Sequence, residues 1–236
     1  MNIVIFNEYI HEKKDDIVKS VYPEGIHAVL AEILKGHTVR CITLDNIGEL
    51  NQTLLAETDV LLWWGHVGHH LVPDELAAAV QQEVLRGMGL IALHSAHHSK
   101  PFKLLMGTPC NLSWRENGDW ERVWVCNPAH PIANGLDRYF ELGHEEVYAE
   151  PFMIPEPDEL VFMGAYEGGE AFRSGCCYRR GYGKVFYFQP GHETYPTFYE
   201  PAVQTVIRNA VEWARSPYRA ELSCPHVARI APPVRE

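Results

Sequence analysis

The chain has 236 residues, with 20 Lys and Arg against 31 Asp and Glu, a formal charge of −11, and 13 histidines. A hydrophobic share of 46% beside 22% charged residues is a globular composition, not a disordered one. The acidic balance argues against nucleic acid and against an anionic membrane surface, because both are bound through Lys and Arg.

No apolar stretch approaches the ~20 residues that cross a bilayer. The start, MNIVIFNEYIHEKKDD, lacks a positive n-region and a cleavage site, so a cytoplasmic location is expected. Cysteines 41, 110, 126, 176, 177 and 224 form no CxxC pair and are expected to be reduced thiols.

Ile3–Phe6 reads as a buried strand. Glu24–Lys35 is amphipathic, with Ile26, Val29, Leu30, Ile33 and Leu34 on one face, and Gly36 ends it. Thr38–Thr43 and Asp59–Trp64 read as the next strands. Pro73–Arg86 reads as a helix, with Pro at its first turn, Asp74 and Glu75 beside it and Gly87 at its end. Leu90–Leu93 is a fourth strand. Alternating helices and near-continuous apolar strands mean a parallel sheet covered on both faces, an α/β fold whose ligands bind beyond the carboxyl ends of the strands.

Residues 107–183 change character and are rich in Trp, Pro and Gly. Glu121–Cys126 and Glu159–Ala165 look like short strands there. Ala171–Arg180 and Gly183–Gln189 read as an antiparallel hairpin turning at Gly181. A last helix spans about Pro201–Arg215. Residues 216–236 read as an extended C-terminal arm after a single domain over 1–215.

The histidines cluster by position. Asp59–Trp64 is followed by His66, His69 and His70, and Leu90–Leu93 by His94, His97 and His98, each an H-x-x-H-H run directly after a strand. Gly183–Gln189 is followed by His192-Glu193, the first strand by Glu8-Tyr9, and His144 stands beside Glu145 and Glu146. His130 is placed near the same edge. Histidines also cap helices and pack half-buried, and that plain role stays open for each one.

Ala92 and Ala96 flank His94 at the small-residue positions of a strand-to-helix nucleophile elbow. Imidazole is a poor acyl-transfer nucleophile, so His94 there binds, protonates or coordinates. The catalytic candidates are His94, Ser95, His192 and Glu193. A zinc ion on His66, His94 and His192 is a further candidate, since zinc takes neutral imidazole nitrogen and carboxylate oxygen.

Glu8, Tyr9, Trp64, His97, Glu146 and Tyr195 are the substrate-binding candidates. Aromatic faces beside acids and imidazoles suit a small-molecule sugar. One of Trp63 and Trp64 must face the core, because neighbours on a strand point opposite ways. Glu167-Gly168-Gly169-Glu170 has acidic flanks and no following helix, so it is no phosphate loop and no nucleotide cofactor is expected. A free sheet edge or the arm would allow a homo-oligomer.

The HSAHHS turn, NPAHPIANGL at 127–136, HEEVY at 144–148 and GKVFYFQPGHETY at 183–195 resemble, in order, the ThuA-like proteins linked to trehalose utilisation. The resemblance runs over about residues 1–215. It implies a class I glutamine-amidotransferase-like fold: a flavodoxin-like, doubly wound, mostly parallel sheet with the antiparallel elaboration in its second half. It also implies handling of disaccharides or their keto derivatives. In amidotransferases the elbow carries Cys and a late strand delivers His-x-Glu. Here the elbow carries His94-Ser95 and the late strand His192-Glu193 without a spacer, so thioester glutaminase chemistry is not expected. Three functions follow: a sugar-processing enzyme, a non-catalytic sugar- or metal-binding protein, or a hydrolase using Ser95 with His192 and Glu193.

Overall fold

The computed structural model describes residues 1–228 and residue 231. Among the described residues nine strands and seven α-helices follow in the order β1 (Asn2–Asn7), α1 (His11–Lys14), α2 (Asp16–Val21), α3 (Ile26–Ile33), β2 (Thr38–Thr43), α4 (Gln52–Glu57), β3 (Val60–Trp64), α5 (Asp74–Arg86), β4 (Gly89–Leu93), α6 (Lys100–Met106), β5 (Ser113–Val125), β6 (Tyr139–Ala149), β7 (Glu159–Tyr166), β8 (Ala171–Arg180), β9 (Gly183–Phe188) and α7 (Pro201–Ala214). One sheet has the order β2-β1-β3-β4-β9-β8-β7-β5-β6. The first five are parallel and the last four pairings antiparallel. The order 2-1-3-4 followed by a fifth parallel strand is the flavodoxin-like winding, with its switch point between β1 and β3.

The parallel strands are apolar on both faces because helices cover both. Ile3, Ile5, Leu62, Trp64, Ile91 and Leu93 pack under α3 and α7. Their neighbours Val4, Phe6, Leu61, Trp63, Leu90 and Ala92 pack under α4, α5 and α6. Each fully buried aliphatic or phenyl side chain contributes roughly 1.5–3 kcal/mol, so β3, buried at all five positions, anchors the loop that follows it. Trp63 and Trp64 both lie in the core, on opposite faces, as do Cys176 and Cys177. All six cysteines are free.

Local chemistry sets the helix ends. Ser99 caps α6 by accepting from the Phe102 amide. Gly87 ends α5 at φ +133°, and a Cβ there would stand 2.3 Å from the Tyr218 carbonyl, so only glycine fits. That close approach comes from the start of the expected arm. The Ala220 amide donates to the Arg86 carbonyl, and Arg219 reaches Glu83 and the Thr58 carbonyl, so this segment lies across the end of α5. Residues 229, 230 and 232–236 of the expected arm fall outside the described residues.

The second half departs from the short pieces expected. β5 runs 13 residues and β6 runs 11. Register shifts around Asp119 interrupt their pairing. Bulges of this kind bend a strand, and the far end of the sheet curls back until β6 meets the loop after β9. There the Gln189 side chain donates to the Glu146 carbonyl at 3.1 Å. Among the described residues no helix is long and apolar enough to cross a membrane.

Candidate functional site

Four parallel strands and one curled-over strand deliver the polar groups. β3 ends at Trp64 and presents His66. β4 ends at Leu93 and presents His94, whose φ is +52°. A non-glycine residue held in this region is the strained turn of an elbow, and it aims the imidazole off the strand end. β9 leads into Gln189 and the loop carrying His192 and Glu193. β6 supplies Glu145, Glu146 and Tyr148.

The rings of His66, His94 and His192 converge, with centroids 5.9, 5.3 and 5.3 Å apart for the pairs 66–94, 66–192 and 94–192. His94 Nδ1–H donates to the Gln189 carbonyl at 2.9 Å, which turns Nε2 toward Glu146. His94 Nε2 and Glu146 Oε2 stand 3.0 Å apart, at ion-pair distance but out of line for a hydrogen bond. His66 Nδ1–H donates to Glu193 Oε1 at 2.7 Å, and His11 Nδ1 contacts the same oxygen. His192 Nδ1 pairs with Thr194 Oγ1 at 2.8 Å and accepts from the Thr194 amide.

These neighbours set the charges. Burial alone would lower the His94 pKa, but the Glu146 carboxylate, helped by Glu145 and Glu193, raises it to about 9. Burial lowers His192 to about 4, and the charge on His94 adds to this. Burial opposes ionisation of Glu146 and Glu193, yet His94 holds the first below its ordinary value, and His11 and His66 hold the second well below it. Near neutral pH the cluster is an ionised His94–Glu146 pair, an ionised Glu193 and a neutral His192.

Two further carboxylates act on backbone. Glu8 accepts from the amides of Val67 and Gly68 at 2.9 and 2.7 Å and fixes the loop bearing His66. Glu145, wholly buried, accepts from the amides of Gly191, His192 and Glu146 and from Thr197 Oγ1. It fixes the loop bearing His192.

A cavity of about 410 Å³ opens beside the cluster. His66, Ser95, His97, His98, Trp114 and Glu146 line it, and Trp114, 67% exposed, forms its rim. The expected substrate-binding residues divide here. Glu146 and His97 line the cavity, although His97 donates its Nδ1–H to the Cys110 carbonyl. Tyr195 stands beside the His192 ring at 5.5 Å. Tyr9 packs edge-on against His27.

Trp64 and Glu8 have no surface for a sugar. Trp64 is 0% exposed and donates its Nε1–H to the Gly191 carbonyl, while both Glu8 oxygens are held by backbone amides. Ser95 Oγ pairs with the Tyr148 hydroxyl at 2.8 Å and with no imidazole. His130 lies elsewhere, against Trp213. Sequence reasoning missed His11, and its signal was its position a few residues past the end of β1. It also missed the anchoring roles of Glu8 and Glu145.

Behind the site, Glu121 is wholly buried with Oε2 unpartnered, and burial, with the nearby Glu145, pushes its pKa well above the carboxylate range. The native state therefore keeps a proton that the unfolded chain releases above its ordinary pKa. Stability is intact below that value and falls as pH rises toward the raised one. Glu121→Gln removes this loss. Its gain over the parent is expected to grow as pH rises from 5 to 8. Parallel melting curves for the two proteins across that range would refute the assignment.

A family model described as trehalose utilisation, ThuA, matches residues 2–214. Among curated proteins no significant match is found. Among solved structures, a putative ThuA-like protein from Parabacteroides merdae superposes with a TM-score of 0.68 at 13% identity, covering 94% of this chain and 92% of that one. A cytoplasmic protein from Salmonella typhimurium LT2 gives 0.63 at 13% identity, covering 92% and 100%. A glutamine amidotransferase from Thermotoga maritima gives 0.52 at 11% identity, covering 90% and 96%. At these identities the likeness is one of fold.

Proposed function

This chain belongs to the ThuA, or trehalose-utilisation, family, and on that premise we propose that it is a cytoplasmic sugar-processing enzyme acting on a disaccharide or its keto derivative. The observation that carries the proposal is the cavity itself. Two members of the imidazole–carboxylate cluster, His66 and Glu146, line it, and its rim is an exposed indole. A sugar packs its C–H face on an aromatic ring and needs both donors and acceptors for its hydroxyls. His98 and Asn111 supply these on the wall, and His66 and Glu146 on the floor.

Proton exchange falls to the ionised His94–Glu146 pair, 3.0 Å apart, in which the imidazolium can give a proton and the carboxylate accept one. Glutaminase chemistry has no part in the proposal, because the elbow carries His94. One observation favours a binding protein over a hydrolase: Ser95 Oγ is tied to Tyr148 rather than to a base.

Calorimetry with trehalose and its keto derivative, combined with product analysis, tests the proposal. The expected result is binding and conversion by the parent, binding about five- to tenfold weaker in Trp114→Ala, and conversion lost in His94→Ala. Binding that is unchanged in Trp114→Ala would remove the cavity from the account. Binding without conversion would favour the non-catalytic reading.

A further inference from the structure

We propose that the strand-end cluster is a binding site for one divalent first-row transition-metal ion, held by His94, His192 and Glu193. The proposal goes beyond the sugar reading and stands or falls without it.

The first observation is an unsatisfied buried carboxylate oxygen. Glu193 is only 3% exposed, and its Oε2 has no hydrogen-bond partner. Buried polar atoms are almost always satisfied, and an unsatisfied buried carboxylate oxygen is costly. A cation beside it removes that cost.

The second observation is convergence. His66, Glu146 and His192 each offer a donor atom, and all three atoms lie within 4.8 Å of one another. The same holds for His94, His192 and Glu193. His192 belongs to both sets, and the wholly buried set of His94, His192 and Glu193 is the one assigned to the ion. Metal–ligand bonds of about 2.0–2.2 Å place the donors of one ion up to roughly 4 Å apart, so small side-chain adjustments would close the shell.

The third observation is the outer layer of contacts. A ligating imidazole has its other nitrogen held by a carbonyl or hydroxyl. His94 Nδ1–H donates to the Gln189 carbonyl in this way, and with a metal on Nε2 the His192 proton would sit on Nδ1, where Thr194 Oγ1, 2.8 Å away, can accept it. Both rings therefore turn Nε2 inward. His192 Nε2 lies 3.8 Å from Glu193 Oε2, too far for a hydrogen bond. Glu193 Oε1 is occupied by His66 and His11, which directs its other oxygen toward the same locus.

Donor type selects the metal. Two imidazoles with a carboxylate and open positions suit Zn²⁺, Mn²⁺, Fe²⁺ or Co²⁺. Ca²⁺ and Mg²⁺ prefer all-oxygen shells, and no thiolate is present to favour Cu⁺.

The test uses full-length protein stripped with a chelator and titrated with Zn²⁺ and Mn²⁺ by calorimetry, and with Co²⁺ by visible absorption. One ion per chain is expected, with Co²⁺ bands showing nitrogen and oxygen ligation. Glu193→Gln and His192→Ala should each weaken binding at least tenfold, while His37→Ala, beside Glu212 at the opposite end of the sheet, should bind as the parent does. Far-ultraviolet circular dichroism identifies any variant that fails to fold, and Glu193→Gln preserves the side-chain shape. Less than half an ion per chain for every metal tried would overturn the proposal. So would equal affinity in the parent and a folded Glu193→Gln.

Discussion

Alanine in place of Glu145 is expected to destabilise the fold by about 3–5 kcal/mol, since it leaves several buried donors without an acceptor. The Gly191, His192 and Glu146 amides and the Thr197 hydroxyl all donate to this one buried carboxylate. Its removal frees the loop that carries His192 and Glu193 as well as weakening the core. Glu145→Gln keeps the volume and part of the acceptor capacity, so its cost should fall between alanine and the parent. Urea denaturation of the three proteins checks the order. An alanine variant within about 1 kcal/mol of the parent would show that the loop is held by other means.

The second large effect is expected at Trp64. This indole is 0% exposed within the cluster packed under α3 and α7. Trp64→Ala should cost about 3–5 kcal/mol through lost burial and the cavity left behind. It also removes the 3.0 Å hydrogen bond to the Gly191 carbonyl. Trp64→Phe retains much of the packing and loses only that bond and some volume, so it should cost about 1–2 kcal/mol. Denaturant midpoints with unchanged slopes would confirm a stability effect. Equal costs for Phe and Ala would assign the whole effect to the hydrogen bond.

Both residues show where the sequence was informative and where it was not. Apolar runs at Asn2–Asn7, Val60–Trp64 and Gly89–Leu93 are unambiguous because helices bury both faces of these strands. The placement of His66 and His94 follows from β3 and β4 alone, and that of His192 from β9. Ala92 and Ala96 foretold the tight turn at His94, and its φ of +52° is that turn.

The short helices α1, α2 and α4 carry too few residues to show a period. β5 hides its strand character because the first half of SWRENGDWERVWV is polar and unburied and its pairing shifts register around Asp119. The curl of the sheet that brings Glu145 and Glu146 from the last strand onto the β9 loop is a long-range consequence of those irregularities, and no local pattern announces it. Trp64 and Glu8 were misjudged for a related reason. Standing at a strand end does not say whether a side chain points to the opening or back into the core. Trp64 packs inward and Glu8 turns to backbone amides. His130 was placed at the wrong end because its loop precedes β6, and nothing in NPAHPIANGL reveals that it packs on Trp213 of α7.

The central claim is that the strand-end cluster and the adjoining cavity form one site for a sugar. A crystal structure of the protein soaked with trehalose or its keto derivative tests it most directly. The account predicts sugar density in the 410 Å³ cavity, a ring face against Trp114, and a hydroxyl or carbonyl within hydrogen-bond reach of His66 or Glu146. Sugar ordered elsewhere on the protein, with this cavity holding only solvent at a concentration that saturates binding in solution, would contradict it.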